Sequence, residues 1–189
     1  MSDLNYRIRH EWALRGYDGQ TCWVQCRAGA IPAGLAGGNP LPIVVMTTQK
    51  LRLAGSDVFY ELHELRTDDL GETWSGPLAH PDTLGRRREP DGIEAVICDA
   101  TPAWHAASGK LLSTGHVARY LGDRLAPDPR RRQTAYTVYD PASRQWTPWD
   151  TLVMPDDEGH FYNAGAGSGQ RYDLENGDIL LPVYFRPRG

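Results

Sequence analysis

Apolar positions in this chain recur in short alternating or β-branched runs broken by Gly, Pro and Asp, with few long stretches of helical period. Thr21 to Cys26 alternates as a first strand would, and Gly34 to Pro40 reads as a loop. The run Pro42 to Thr48 is short and β-branched, which predicts a buried strand. A turn is expected at Leu53 to Ser56, and Asp57 opens a further strand through Leu65. Strand pattern resumes at Ile93 to Cys98 and continues through AWHAASGKLLSTGH, a polar loop over 121–132, and TAYTVYD. The last stretch, from Asn163 to Phe185, begins a third such unit.

Laid over one another, these units repeat. Ile43, Leu111 and Ile179 stand at one spacing (111 − 43 and 179 − 111 are both 68), and Val44, Leu112 and Leu180 follow the same rule. A repeat of about this length holding four short strands has the dimensions of a propeller blade, which buries its faces only against neighbouring blades. The expected units are 21–80, 93–150 and an incomplete 160–189, within one domain spanning 1–189.

Composition agrees with an all-β class. The 189 residues include 20 Gly, 14 Pro and six Trp, and 40% are apolar. A net charge of −4 leaves no overall basic field, so nucleic acid is not an expected partner. The arginine clusters 86–88 and 130–132 read as solvated loops. No run approaches the roughly 20 apolar residues of a membrane span, and the N-terminus has no secretory signal pattern, so a cytoplasmic protein without membrane contact is expected. Cys22, Cys26 and Cys98 lack zinc-site spacing and read as buried thiols; no metal or other cofactor is implied.

The string Thr67-Asp68-Asp69-Leu70-Gly71-Glu72-Thr73-Trp74 has the residue types of one tight turn: Asp69 to bond backbone amides, Gly71 for positive φ, Trp74 to fold beneath. It matches the Asp-box, S/T-x-D-x-G-x-T-W, at every fixed position, and YDPASRQW at 139–146 is a degenerate second copy. On these residues the chain resembles the sialidase (neuraminidase)-like Asp-box β-propellers. The resemblance implies a six-bladed ring of which about three four-stranded blades are present, closed by further chain or by self-assembly. It makes Asp69 a fold marker on the outer side, between the third and fourth strands of a blade.

The same resemblance implies a glycoside hydrolase acting on an acidic carbohydrate through an arginine triad, an Asp acid and a Tyr-Glu pair. Arg27 matches the family's Arg-Ile-Pro position, although three residues interrupt it here (Arg27-Ala-Gly-Ala-Ile31-Pro32), and Asp57 lies where the family carries its acid. The Tyr-Glu pair has no counterpart. From the repeat alone, Thr48, His116 and Tyr184 share one strand-end position, with Gln49, Arg119 and Tyr120 beside them and His105 before the second copy. His116 is therefore a candidate acid or base, because its ordinary pKa lies near neutrality. Arg27, Gln49, His105 and Arg119 are candidate substrate ligands, and Trp104 offers a face for a sugar ring. The alternative functions are a propeller polysaccharide lyase acting on uronates, with His116 or His105 as base, and a carbohydrate-binding module without turnover. Gly165 to Gly169 reads as a flexible loop between units.

Overall fold

A computed structural model describes residues 8–53, 57–128, 130–156 and 158–187. The expected turn at 53–56 falls largely outside these residues. The protein is all-β, built of curled antiparallel sheets. The first sheet is a meander of β1 (Thr21–Ile31), β2 (Ile43–Arg52), β3 (Val58–Thr67) and β4 (Ser75–Ala79), in that spatial order. The second repeats the plan: β6 (Ile93–His105), β7 (Lys110–Leu121) and β8 (Thr134–Asp140) follow one another. The two-residue strands β9 (Gln145–Trp146) and β10 (Asp150–Thr151) lie on β8, and β5 (Arg87–Arg88) lies on the far edge of β6. A third hairpin is interrupted, with β11 (Asn163–Gly165) pairing β14 (Tyr184–Arg186) and β12 (Tyr172–Asp173) pairing β13 (Ile179–Leu180).

Among the described residues, no helix is long and apolar enough to cross a membrane. The core lies where one sheet covers the other, joining Ile31, Val45 and Leu62 to Ile97, Leu111, Tyr139 and Trp146. Those residues alternate along their strands with more exposed ones, as a strand with one covered face requires. The first strands approach closely at Gly29, where a Cβ would fall 2.6 Å from the Pro102 carbonyl oxygen. Polar groups cross the same interface and pair there. Thr47 Oγ1 donates to the Ala100 carbonyl at 2.8 Å, and Trp146 Nε1 donates to Glu64 Oε2 at 2.7 Å. Arg171, 2% exposed, ties the third segment to the second sheet by donating to the Leu112 and Ala103 carbonyls at 2.5 and 2.9 Å.

The Asp69 turn sits between β3 and β4. Asp69 Oδ1 accepts from the Thr73 amide at 2.9 Å and from Thr67 Oγ1 at 2.7 Å, while Thr73 Oγ1 donates to Oδ2 at 2.6 Å. Leu70 and Gly71 take φ of 60° and 91°, and a Cβ on Gly71 would meet the Trp74 indole at 3.7 Å. All five fixed residues of the box thus serve one turn. The weaker copy occupies the matching place between β8 and β9, where Asp140 Oδ1 accepts from the Ala142 amide at 2.9 Å.

The cysteine expectation requires correction. Cys98 is buried, and burial pushes its thiol up to about 12, but Cys22 is half-buried and Cys26 exposed. The cause is a bulge between Val24 and Arg27, which breaks the alternation that would have put Cys22 and Cys26 on one face.

The hydroxyl and amide of Thr73, then the Thr67 hydroxyl, hold the Asp69 carboxyl down at about 2. A depressed carboxyl stabilises the fold above its unfolded pKa of about 4 and loses that contribution as pH falls toward 2. Asp69→Asn should therefore lower the thermal midpoint at neutral pH, and the gap to the parent protein should close between about pH 4 and pH 2. A gap that does not change with pH would contradict this account of the turn.

A candidate acid–base cavity at the inner-strand bulges

Both first strands carry an irregularity at the same height. In β1 the register slips between Val24 and Arg27, and in β6 it slips between Cys98 and Thr101. The residue after the last regular pair is left-handed in each, with φ of 58° at Gln25 and 52° at Asp99. In the third hairpin the corresponding break runs from Gly165 to Tyr172 and holds Ser168 at φ 57°. Such a bulge turns a side chain out of the strand's alternation. The three breaks bring Gln25, Asp99 and Ser168 to the wall of one cavity of about 520 Å³, which His116, Arg132, Tyr184 and Asp57 also line.

The last regular partners opposite the breaks are Gln49, His116 and Tyr184, paired with Val24, Cys98 and Gly165. The structural equivalence therefore runs through Gln49, one residue beyond Thr48. Thr48 is buried and donates to the Val24 carbonyl at 2.8 Å.

Arg27 is the hub of the bulges. Its Nη2 reaches Gln25 Oε1 at 3.1 Å, Ser168 Oγ at 3.3 Å and Asp99 Oδ1 at 3.4 Å, so one guanidinium holds all three segments. Such a planar donor can serve several acceptors from one position. The other Asp99 oxygen faces His116 Nδ1 at 3.9 Å, beyond a hydrogen bond but close enough to act electrostatically. Nδ1 is buried without a hydrogen-bond partner, and Nε2 bonds to no described residue. The Gly-rich stretch 165–169 is part of this wall. A Cβ on Gly167 would fall 2.1 Å from His116 Nδ1, and one on Gly165 would fall 2.6 Å from the Tyr184 hydroxyl. Both glycines are there because the rings leave no room for a side chain.

Burial drives the His116 pKa down to about 4; the Arg132 charge pushes the same way and Asp99 opposes it. His116 is accordingly neutral at neutral pH. Tyr184 lies edge-on to it, with ring centres 6.4 Å apart, and burial raises the Tyr184 pKa against the opposing pull of Arg132. The Arg132 guanidinium stands 5.5 Å over the Tyr184 ring and donates to its hydroxyl at 3.4 Å. The cavity thus combines a neutral imidazole, a protonated phenol and the Arg132 guanidinium, with Arg27 bonded to three of its lining side chains. Those groups can take a proton, give a proton and hold an anion.

Of the residues expected from sequence, Asp57 and His116 line this cavity, and Arg27 bonds to three of its lining side chains. The Asp57 carbonyl is also tied down, accepting from the Tyr120 hydroxyl at 2.8 Å. Gln49 stands elsewhere: it is fully buried, and its Nε2 donates to the Tyr60 and Ile97 carbonyls at 2.8 and 2.9 Å, linking the two sheets. Arg119 is held by both oxygens of Glu89, at 2.8 and 2.9 Å, outside this cavity. His105 is the last residue of β6, outside this cavity, with its ring between Ser108 Oγ at 2.8 Å and the Gly177 carbonyl at 3.1 Å, and Trp104 beside it packs on the core. Asp99 and Arg132 complete the site without having been singled out. A bulge has no signature in the pattern of β6, and Arg132 reads as one arginine of a polar loop.

Compared with protein-family models, curated proteins and solved structures, the chain matches none. Fold and site together define an all-β protein with a candidate acid–base cavity where its first strands bulge.

By NMR, His116 should titrate near pH 4, and Arg132→Ala should raise that midpoint because Arg132 opposes the charged ring. A midpoint near the ordinary 6.5, or a downward move in the variant, would contradict the assignment.

Proposed function

We propose that this protein is a sialidase-like β-propeller blade assembly that acts on an acidic carbohydrate, and that its reaction is eliminative cleavage of a uronate chain. The observation that carries the reading is the neutral His116 ring, without a hydrogen-bond partner among the described residues, facing Tyr184 in a cavity that Arg132 lines and Arg27 braces. The Asp69 turn between third and fourth strands, its weaker copy at Asp140 and the two successive meanders support the propeller.

Elimination beside a uronate carboxylate needs a base for the proton on the carbon next to that carboxylate, an acid for the departing glycosidic oxygen, and cations for the enolate charge. His116 Nε2 is the base, with the Nδ1 proton turned toward Asp99. The C–H electrons form the new C=C bond, the bond from the neighbouring ring carbon to the glycosidic oxygen breaks, and Tyr184 gives its proton to that oxygen. Arg132 stabilises the phenolate left behind, and Arg27 or Arg132 holds the carboxylate. The phenolate and imidazolium return to their resting states by exchange with water.

Hydrolysis is the second reading, supported by Asp57 and Asp99 lining one cavity. Asp99 is engaged by Arg27, which ties up the carboxyl a glycosidase would need free.

The two separate in one assay. Polygalacturonate and alginate should give an ultraviolet-absorbing unsaturated product. His116→Ala should lower that rate at least about a hundredfold, while Asp57→Asn leaves it within about threefold. The parent rate should fall as pH drops through about 4, where His116 gains its proton. Reducing sugar released from a fluorogenic sialoside or uronide, lost in Asp57→Asn and without unsaturated product, would replace elimination with hydrolysis.

A further inference from the structure

Next to the acid–base cavity, and sharing Arg132 and Tyr184 with it, is a second cavity of about 290 Å³. Arg119, Arg130, Arg131, Arg132 and Arg186 line it, against a single carboxylate, Asp128. Arg119 is neutralised by Glu89 and Arg130 stands 3.8 Å from Asp128. Arg131 and Arg186 have no side-chain partner among the described residues, and both are exposed. In a chain of net charge −4, the convergence of five guanidiniums from β7, the following loop and β14 is a local reversal of sign. Like charges gathered this way repel one another, and an anion seated among them removes that cost. Planar guanidiniums suit an oxyanion, which each can bind through two parallel hydrogen bonds.

We infer that this arginine-lined cavity is a subsite for a second anionic group, a carboxylate or ester sulfate on the next sugar along a polyanionic chain. The inference rests on the reading of the neighbouring cavity as the reaction site, because Arg132 and Tyr184 form the wall between the two. A chain threaded through both places one acidic sugar at His116 and the next against Arg131 and Arg186. The preferred substrate is then an oligosaccharide with anions on neighbouring residues. A monosaccharide acid fills only the first cavity.

Calorimetric binding tests this without turnover. In a His116→Ala background, which spares the ligand, trigalacturonate should bind at least about tenfold more tightly than galacturonate, as one charge-assisted contact allows. Adding Arg131→Ala and Arg186→Ala should erase that gain and flatten its salt dependence, leaving the galacturonate affinity unchanged. Both arginines are exposed, so their removal leaves the core intact. A sulfated tetrasaccharide in parallel distinguishes ester sulfate from carboxylate as the preferred anion. An oligosaccharide gain that is absent, or that survives the double substitution with both probes, overturns the subsite. Arginine-dependent binding of trigalacturonate that the parent protein does not cleave would sink the elimination reading and leave the subsite standing.

Discussion

A regular antiparallel strand sends its side chains alternately to its two faces, and an unbroken β6 would leave Asp99 in that alternation between Cys98 and Ala100. The extra residue in each first strand removes that constraint, and the candidate site depends on it. The left-handed backbone it imposes on Gln25 and Asp99 costs about 1–3 kcal/mol per residue, which the surroundings must offset. Arg27 supplies part of the compensation by bonding both side chains at once, and its third contact brings Ser168 to the same point. The interaction that steadies the irregular backbone therefore also assembles the cavity from three distant segments of the chain.

The two sheets do the complementary work of holding the bulges at one height. Gln49 and Thr47 stitch β2 to the carbonyls of β6, and the absence of a side chain at Gly29 lets the first strands come together. Outside this interface the Asp69 and Asp140 turns close the strands away from the candidate site. The Asp69 and Asp140 turns and the apolar interface carry the fold, and the strand irregularities carry the candidate titratable groups.

This separation decides what could be read from the residues alone. Strand alternation, the turn chemistry of Thr67 to Trp74 and the spacing of the units are local properties, so the all-β class and the successive meanders were legible. His116 was legible as a candidate because equivalent positions of a repeat converge, although it lies inside β7 and not at its end, and Arg27 was legible only through the resemblance to an Arg-Ile-Pro motif. Asp99 was not, because a bulge arises from register between two strands and leaves no periodic mark in either. Gln49 was misplaced for a related reason: an amide within a strand looks the same whether it faces a ligand or the carbonyls of adjacent strands. The arginines at 130–132 look like a solvated loop until Arg186 is folded against them.

The central claim is that His116, Tyr184 and the guanidiniums of Arg27 and Arg132 form one reaction site for a uronate. The most direct measurement is the crystal structure of the His116→Ala protein soaked with a saturated oligogalacturonate. The account predicts a sugar in the bulge cavity, its carboxylate within hydrogen-bond distance of Arg27 or Arg132. The glycosidic oxygen should lie beside the Tyr184 hydroxyl, and the carbon next to the carboxylate should face the space the imidazole had filled. A sugar bound at the outer turns, or one whose carboxylate points away from both arginines, would contradict it.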